Sequence, residues 1–157
     1  MAEAILFQVA GEILMKLSSQ AFQRHGMLFG LKDDLKKLTT TVSTIKDVLL
    51  DAEGRQTKSH LLENWLQKLE EAIYDAENVL KELSTEALRR ELITRDHKNS
   101  KQVRTFFSKS NQIAFNYRMA RQVKNIWERL DAIDAEKNNF TCVKTVNHGL
   151  NTVHLIE

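Results

Sequence analysis

Hydrophobic residues recur at alternating spacings of four and three along two long stretches of the chain. The first stretch carries Leu31, Leu35, Leu38, Val42, Ile45, Leu49 and Ala52. The second carries Leu62, Leu66, Leu69, Ile73, Ala76, Leu80, Leu83 and Ala87, and its stripe is widened by Trp65 and Val79. A seam of this spacing, sustained over three heptads, predicts two amphipathic helices that bury one narrow face each.

Two further segments are predicted to be helical, one on either side of this pair. Residues 1–22 are mostly apolar. A looser stripe near the other end consists of Ile113, Tyr117, Ala120, Val123, Trp127, Leu130 and Ile133. Gly26 and Gly30 are predicted to bracket a turn before the second helix, and Ser59 is predicted to cap the third.

Two segments in the second half of the chain carry no helical pattern. Residues 94–110 are predicted to be a connection, and Asn138 and Asn139 are predicted to end the fourth helix. Residues 140–157 mix β-branched and polar residues, which indicates a linker or a frayed terminus, with strand pairing as the alternative. The predicted organisation is a coiled-coil helical domain over 1–139 followed by a flexible tail over 140–157.

The absence of proline favours an all-α fold, because nothing in the 157 residues forces a helix to break. Two seams of matched length joined by a short loop predict an antiparallel hairpin. The first and fourth helices would then close an antiparallel, up-down four-helix bundle. An extended helical hairpin that forms a dimer would bury the same residues, so both architectures stay open.

The candidate chemistry is sparse, and the chain is predicted not to be an enzyme. None of the five histidines lies three or four residues from another, the spacing of a metal pair on one helix face. Cys142 is the only cysteine, which excludes an intrachain disulfide and fits a reducing compartment. Asp33 and Asp34 are adjacent and would point about 100° apart on a helix, so they do not form an acid–base pair.

Positive charge is concentrated between residues 86 and 124, where ten Lys and Arg stand against three Asp and Glu. Arg118, Arg121 and Lys124 follow one another at three-residue spacing and are predicted to share a basic helix face. Such a face fits an anionic partner, namely nucleic acid, lipid headgroups or an acidic protein. An ordinary solvated face is the simpler interpretation, and nucleic-acid binding is the least favoured.

The apolar opening segment carries more hydrophobic surface than one bundle helix buries. Gln8, Glu12, Lys16 and Ser19 form its single polar stripe. As one helix, 22 residues would span about 33 Å, close to the hydrocarbon thickness of a bilayer. This predicts a helix that is packed at rest, released on activation, and inserted as one stave of a pore with Glu12 facing the lumen. A fully buried first helix is the alternative. The residues assigned to this pore helix are Glu3, Leu6, Val9, Glu12, Ile13, Leu14 and Leu17.

The segment ENWLQKLEEAIYDAENVLKEL at 63–83 resembles the signature helix of plant coiled-coil NLR immune receptors, in which a Trp-Leu stretch precedes an acidic "EDVID"-type motif. MAEAILFQVAGEILMKL, LKDDLKKLTTTVSTIKDVLLDAEGRQ and VKNIWERLDAIDAEKNNF are similar to the first, second and fourth helices of the same Rx-type N-terminal domain. The resemblance covers about residues 1–140. The motif positions are Asp75, Glu77, Asn78, Val79, Leu80 and Glu82.

This resemblance implies a signalling and oligomerisation module whose N-terminal helices act at the plasma membrane and trigger defence and cell death. It also implies that the acidic motif docks on basic residues of the receptor's leucine-rich-repeat (LRR) domain. Asn78 and Lys81 replace acids of the family motif, which is expected to weaken that docking.

The expected partners are further copies of the chain, the nucleotide-binding and LRR domains of a full-length receptor, and a host cofactor protein. ADP or ATP would bind the nucleotide-binding domain, so no cofactor is expected in this chain. The implied location is cytoplasmic, with plasma-membrane association on activation. An adaptor that recruits a host cofactor without membrane action is the alternative function.

Overall fold

A computed structural model describes the backbone of residues 2–53, 60–95 and 109–151, and the side chains of 3–51, 60–93 and 111–137. Within these ranges the chain forms five α-helices and no strand. They are α1 (Ala2–Ser18), α2 (Gln20–Phe29), α3 (Lys32–Glu53), α4 (His60–Arg95) and α5 (Lys109–Asn151). The predicted all-α class is therefore confirmed. The predicted cap at Ser59 lies outside the described residues.

The two heptad seams form the centre of the core. Leu31, directly before α3, is buried, and so are the seam residues of α3 from Leu35 to Leu49 and of α4 from Leu62 to Ala87. Trp65 is buried beside them and Val79 is half-buried. These assignments are confirmed; the side chain of Ala52 lies outside the described residues.

The four longer helices pack around this common core. α1 packs on α3, α3 on α5, α5 on α4, and α4 on α1, while α2 lies against α1, α3 and α4. Lys46 of α3 lies over the ring of Phe7 in α1, and Leu17 near the end of α1 shares a groove with Leu35 at the start of α3. α1 and α3 therefore run antiparallel.

The first correction concerns the opening segment, which is two helices rather than one of 22 residues. Ser19 has an extended backbone (φ −66°, ψ 143°), and its Oγ accepts a hydrogen bond from the Phe22 amide at 3.2 Å. The same hydroxyl donates to the Lys16 carbonyl at 2.8 Å. A serine that bonds to nearby backbone in this way competes with the helix and caps the next one. α1 has 17 residues and is about 26 Å long.

Only one of the two glycines predicted to bracket the turn before α3 lies in that turn. The turn before α3 uses Gly30, whose φ of 68° lies in the left-handed region that glycine adopts without strain. Gly26 lies inside α2 and is buried. A Cβ at Gly26 would stand 3.1 Å from Leu35 Cδ1, so its missing side chain lets α2 approach α3 closely.

Part of the apolar stripe predicted for the last helix is exposed in α5. Ile113 and Tyr117 are 67% and 72% exposed, and Ala120 and Trp127 are only half-buried. Val123, Leu130 and Ile133 of the predicted stripe are buried, and Met119 and Ile126 complete the buried row. α5 packs against both α3 and α4, and this position selects the row centred on Met119 and Ile126.

The predicted end of the last helix is also wrong, because α5 continues through Asn138 and Asn139 to Asn151. Asparagine lowers helix propensity only modestly, and no proline follows to stop the helix. The division of the chain at residue 139 stays a prediction.

Candidate functional site

The acidic face of α4 is paired with arginines of α5. Arg129 Nη1 donates to Asp75 Oδ2 at 2.7 Å, and Arg129 Nη2 donates to Glu71 Oε2 at 3.5 Å. About two turns further along α4, Glu82 Oε1 accepts from Arg118 Nη2 at 2.5 Å. Two carboxylates of the predicted acidic motif are thus already engaged within the domain.

These pairs belong to a longer polar ladder between α4 and α5. Lys68 Nζ lies 3.0 Å from Glu136 Oε2, so the charge order is reversed at this end of the ladder. Residue numbers on α5 fall as those on α4 rise, which shows that the two helices are antiparallel. Exposed ion pairs contribute roughly 0.2–1 kcal/mol each, so the ladder fixes helix register more than it adds stability.

The remaining motif positions face in other directions. Glu77 pairs with Lys81 one turn along α4, with 3.4 Å between Oε1 and Nζ. Leu80 is completely buried, Val79 is half-buried, and Asn78 is exposed. Lys81, one of the two departures from the family motif, therefore neutralises an acid of its own helix.

A shallow groove separates the two ion pairs in the middle of the ladder. Its volume is about 350 Å³, its floor is formed by Val79 and Ile126, and Asn78 and Asn125 line its sides. Gln122 Oε1 is buried there and has no hydrogen-bond partner among the described residues. The groove therefore presents amides at the position where the family motif has an acid.

Trp65, near the start of α4, is bonded to the middle of α5. Its Nε1 donates to the Ile133 carbonyl at 2.7 Å, in a buried hydrogen bond between residues 68 positions apart. The tryptophan of the signature helix is therefore both a core side chain and a directional contact that holds α4 and α5 in register.

Arg90 joins α2, α4 and α5 at the other end of the ladder. It donates to Glu86 Oε1 at 3.1 Å and to Asn116 Oδ1 at 3.2 Å. Its guanidinium lies 4.6 Å from the ring centre of Phe29 and 5.4 Å from that of Phe115. A planar cation stacked on aromatic rings and bonded to two oxygens is a specific role of arginine that lysine does not reproduce.

The predicted basic face divides into two parts. Arg118 is committed to Glu82 and lies over the ring of Phe115 at 5.3 Å. Arg121 and Lys124 are exposed to solvent, and Lys124 has only a 3.8 Å contact with Glu128. The three residues therefore do not act as one surface.

The pore-helix residues also divide into an inner and an outer set. Leu6, Ile13 and Leu17 are buried, and Val9 and Leu14 are half-buried. Glu3 is buried in the first turn of α1, where the helix dipole favours a carboxylate. Glu12 is exposed and accepts a hydrogen bond from Gln8 Nε2 at 3.2 Å.

The outer face of α1 retains apolar surface around the polar stripe. Ile5 is 55% exposed and Met15 is 77% exposed. The predicted excess of hydrophobic surface is therefore present, although it is smaller than the sequence pattern indicates. None of the helices in the described residues is both long enough and apolar enough to cross a bilayer.

Arg129 and Arg90, which each form a hydrogen bond between α4 and α5, were not among the residues predicted from the sequence. Their signal is present in the sequence, because acids recur about a turn or two apart on α4 and bases do so on α5. That signal becomes specific only when the register of the two helices is known. Within the described residues no cluster of His, Cys, Asp or Glu could hold a metal ion.

Comparison with known proteins places these features in a family. The family model for the Rx N-terminal domain matches residues 9–121. Two Solanum bulbocastanum proteins named as disease resistance proteins, RGA4 and RGA2, are 38% identical over 140 residues and 32% identical over 121 residues. These matches cover 89% and 73% of this chain but only 13% and 11% of the relatives.

A protein of Arabidopsis thaliana, disease resistance RPP13-like protein 1, is 42% identical over 55 residues, which is 35% of this chain and 5% of that protein. No solved structure matches the chain significantly. The chain belongs to the Rx N-terminal domain family, the N-terminal coiled-coil domain of plant NLR disease-resistance proteins.

Proposed function

We propose that this chain is the non-catalytic signalling and oligomerisation module of a plant intracellular immune receptor. The observation that carries the proposal is the family match over 9–121, supported by relatives named as disease resistance proteins. Because the chain spans about an eighth of those relatives, ADP or ATP binding would belong to another part of the receptor. The proposed location is the cytoplasm, with plasma-membrane association on activation.

The resting architecture in this proposal is an antiparallel four-helix bundle of α1, α3, α4 and α5, with α2 as a short connecting helix. The cyclic packing of these four helices supports it over the extended hairpin. Light scattering on the purified chain tests the choice, because the bundle predicts a monomer and the extended hairpin predicts a dimer.

The proposed activation step releases α1 for action at the plasma membrane as part of a cation-permeable pore. The break at Ser18–Ser19 supports this step, because α1 is a separate helix joined to the rest by an extended residue. Burial of Leu6, Ile13 and Leu17 opposes release by roughly 5–9 kcal/mol, at about 1.5–3 kcal/mol for each large apolar side chain. Oligomer contacts or lipid would have to offset this amount.

The length of α1 sets a second requirement. At about 26 Å it is shorter than a hydrocarbon core of about 30 Å. A longer stave would form if Ser19 joined the helix, which gives up its capping bond at a cost of about 1 kcal/mol. The pore proposal therefore includes a straightening of α1 and α2 into one helix.

The outer face of α1 allows a test that leaves the core intact. Ile5→Glu/Met15→Glu changes only exposed apolar side chains, and Glu12→Ala removes the exposed carboxylate. We expect both variants to reduce ion leakage when the chain is expressed in leaves, with protein accumulation unchanged. Leu50→Glu, at an exposed position of α3, serves as the control. Undiminished leakage from both α1 variants would refute the pore.

A second part of the proposal concerns docking on the LRR domain. Asp75 and Glu82 are engaged by Arg129 and Arg118, so a basic partner would have to exchange with these arginines. We expect this docking to be weak, and Asn78→Asp/Lys81→Asp to strengthen it. Calorimetric titration of the receptor's LRR domain at low and high salt measures the change. Equal affinity of the variant and the original chain would contradict the docking model.

The adaptor function is the second candidate and is supported by a groove between α1, α2 and α3. Its volume is about 590 Å³, with apolar walls that include Phe22 and Leu35. Among the described residues that line it, only Lys32 and Lys36 are charged, which fits an acidic amphipathic helix of a host cofactor protein. Leakage of liposomes by the purified chain favours the pore, whereas cell death without any liposome leakage favours the adaptor.

A further inference from the structure

The outward side of α5 carries an unusual pair of exposed apolar residues. Ile113 and Tyr117 lie one helical turn apart and are 67% and 72% exposed. Arg121 follows at the next turn of the same row, and Lys124 lies three residues beyond it. We call these four residues the α5 outer face.

The segment of α5 that carries this face is rich in positive charge. From Lys109 to Lys124 the sequence contains no Asp or Glu. Arg121 makes no ion pair with any described residue, and the 3.8 Å contact of Lys124 with Glu128 joins two half-exposed side chains. Solvent screens such a pair strongly, so both cations remain available to an anionic partner.

Two neighbouring arginines are already paired within the domain and are not available to an anionic partner. Arg118 is bonded to Glu82, and Arg90 is bonded to Glu86 and Asn116. The α5 outer face is therefore distinct from the paired ladder between α4 and α5.

We propose that the α5 outer face docks on an anionic lipid surface. Ile113 and the ring of Tyr117 enter the boundary between headgroups and acyl chains, where an amphipathic aromatic residue is favoured. Arg121 and Lys124 bind lipid phosphates at the level of the headgroups. Ile113 has no π-face on which a base could stack, so the apolar pair favours lipid over nucleic acid.

This docking requires no release of α1, because every residue involved is exposed in the packed domain. It therefore differs from the proposed pore in residues, in mechanism and in the state of the protein. A weak peripheral contact of this kind would orient the domain at a membrane before any helix is inserted.

The test is co-sedimentation of the purified 157-residue chain with vesicles of phosphatidylcholine alone and of phosphatidylcholine with phosphatidylserine. We expect binding only to the anionic vesicles and a decrease in binding as salt is raised. Arg121→Gln/Lys124→Gln should weaken binding by roughly 25-fold, at about fivefold for each cation. Ile113→Gln/Tyr117→Gln should also weaken it, with a residual salt dependence like that of the original chain.

The matched control is Leu88→Gln/Leu92→Gln on α4. These leucines have the same one-turn spacing and are 57% and 54% exposed, but Arg89 and Glu91 beside them carry both signs of charge. We expect this variant to bind vesicles like the original chain. Far-UV circular dichroism verifies that each variant is folded.

Three outcomes would overturn the proposal: vesicle binding unchanged in both α5 variants, an equal loss in the α4 control, or binding to DNA or RNA with none to anionic vesicles. The pore is tested separately, since Ile5→Glu/Met15→Glu should reduce leakage and leave sedimentation unchanged. If the original chain causes leakage but does not sediment with anionic vesicles, lipid docking is refuted and the pore still stands.

Discussion

Two tryptophans of this domain provide a matched test of how a single buried hydrogen bond stabilises it. Trp65 Nε1 donates to the Ile133 carbonyl at 2.7 Å. Trp127 Nε1 is also buried but has no hydrogen-bond partner among the described residues. Replacing each by Phe removes the same atoms and breaks a hydrogen bond only at position 65.

The expected magnitudes follow from these contacts. Trp65→Phe loses a hydrogen bond worth about 1 kcal/mol and leaves a small void in the core worth about another 1 kcal/mol, so the free energy of unfolding should fall by about 2 kcal/mol. Trp127→Phe loses no hydrogen bond and weakens the contact with Lys37, whose Nζ lies 4.7 Å from the ring centre. Its cost should stay below about 1 kcal/mol.

Urea unfolding followed by circular dichroism measures both variants without relying on tryptophan fluorescence. Thermal unfolding should show a midpoint about 4–8 °C lower for Trp65→Phe, at about 2–4 °C per kcal/mol for a domain of this size. Equal costs for the two substitutions, or a larger cost at Trp127, would refute the argument that the bond to Ile133 fixes the register of α4 and α5.

The remaining predictions concern three polar contacts. Arg90→Leu removes two hydrogen bonds and the stacking on Phe29, so stability should fall by about 2–3 kcal/mol. Amide exchange should then accelerate in α2 more than in α1; equal acceleration would contradict this. Arg129→Gln and Asp75→Asn should show a coupling energy of about 0.5–1 kcal/mol in a double-mutant cycle, and raised salt should reduce it; zero coupling at low salt would exclude a stabilising pair. Burial lowers the pKa of His25 below 6.5, and Glu91 opposes the shift. The unfolded chain then binds the proton more readily, so stability should fall as pH drops below about 6.5. His25→Phe should flatten that fall in urea titrations, and an identical pH profile would exclude the histidine as its cause.

The heptad seams of α3 and α4 could be predicted because they depend on local spacing alone. Each helix presents one narrow apolar row, and no second row competes with it. In α5 two rows compete, one through Ile113 and Tyr117 and one through Met119 and Ile126. Both satisfy helical spacing, so only the positions of α3 and α4 decide which is buried.

The break between α1 and α2 was also not predictable from the hydrophobic pattern alone. Ser18, Ser19 and Gln20 stand between Leu17 and Phe22, and as part of a polar stripe they are compatible with one continuous helix. The serine at position 19 determines the break by bonding to the backbone on both sides. The same composition would permit a continuous helix in another environment, which is why the proposed straightening of α1 and α2 is testable.

The sequence identified the residues of the acidic motif but not the arginines that pair with them. The resemblance to NLR receptors singled out Asp75 and Glu82 from the sequence, but it could not show that Arg129 and Arg118 hold them in this chain. An ion pair between residues 54 positions apart depends on the register of two antiparallel helices. The basic residues chosen by spacing alone included Arg118 but missed Arg129.

The sequence by itself determined the all-α class, the seams of α3 and α4 and the family, because helical periodicity and motif spacing are properties of one segment at a time. Only the tertiary structure decided which side of α5 is buried, which arginines neutralise the acidic face, and which cations remain available. Those outcomes depend on side chains brought together from distant parts of the chain. Their contacts follow from how the helices pack, which no single segment specifies.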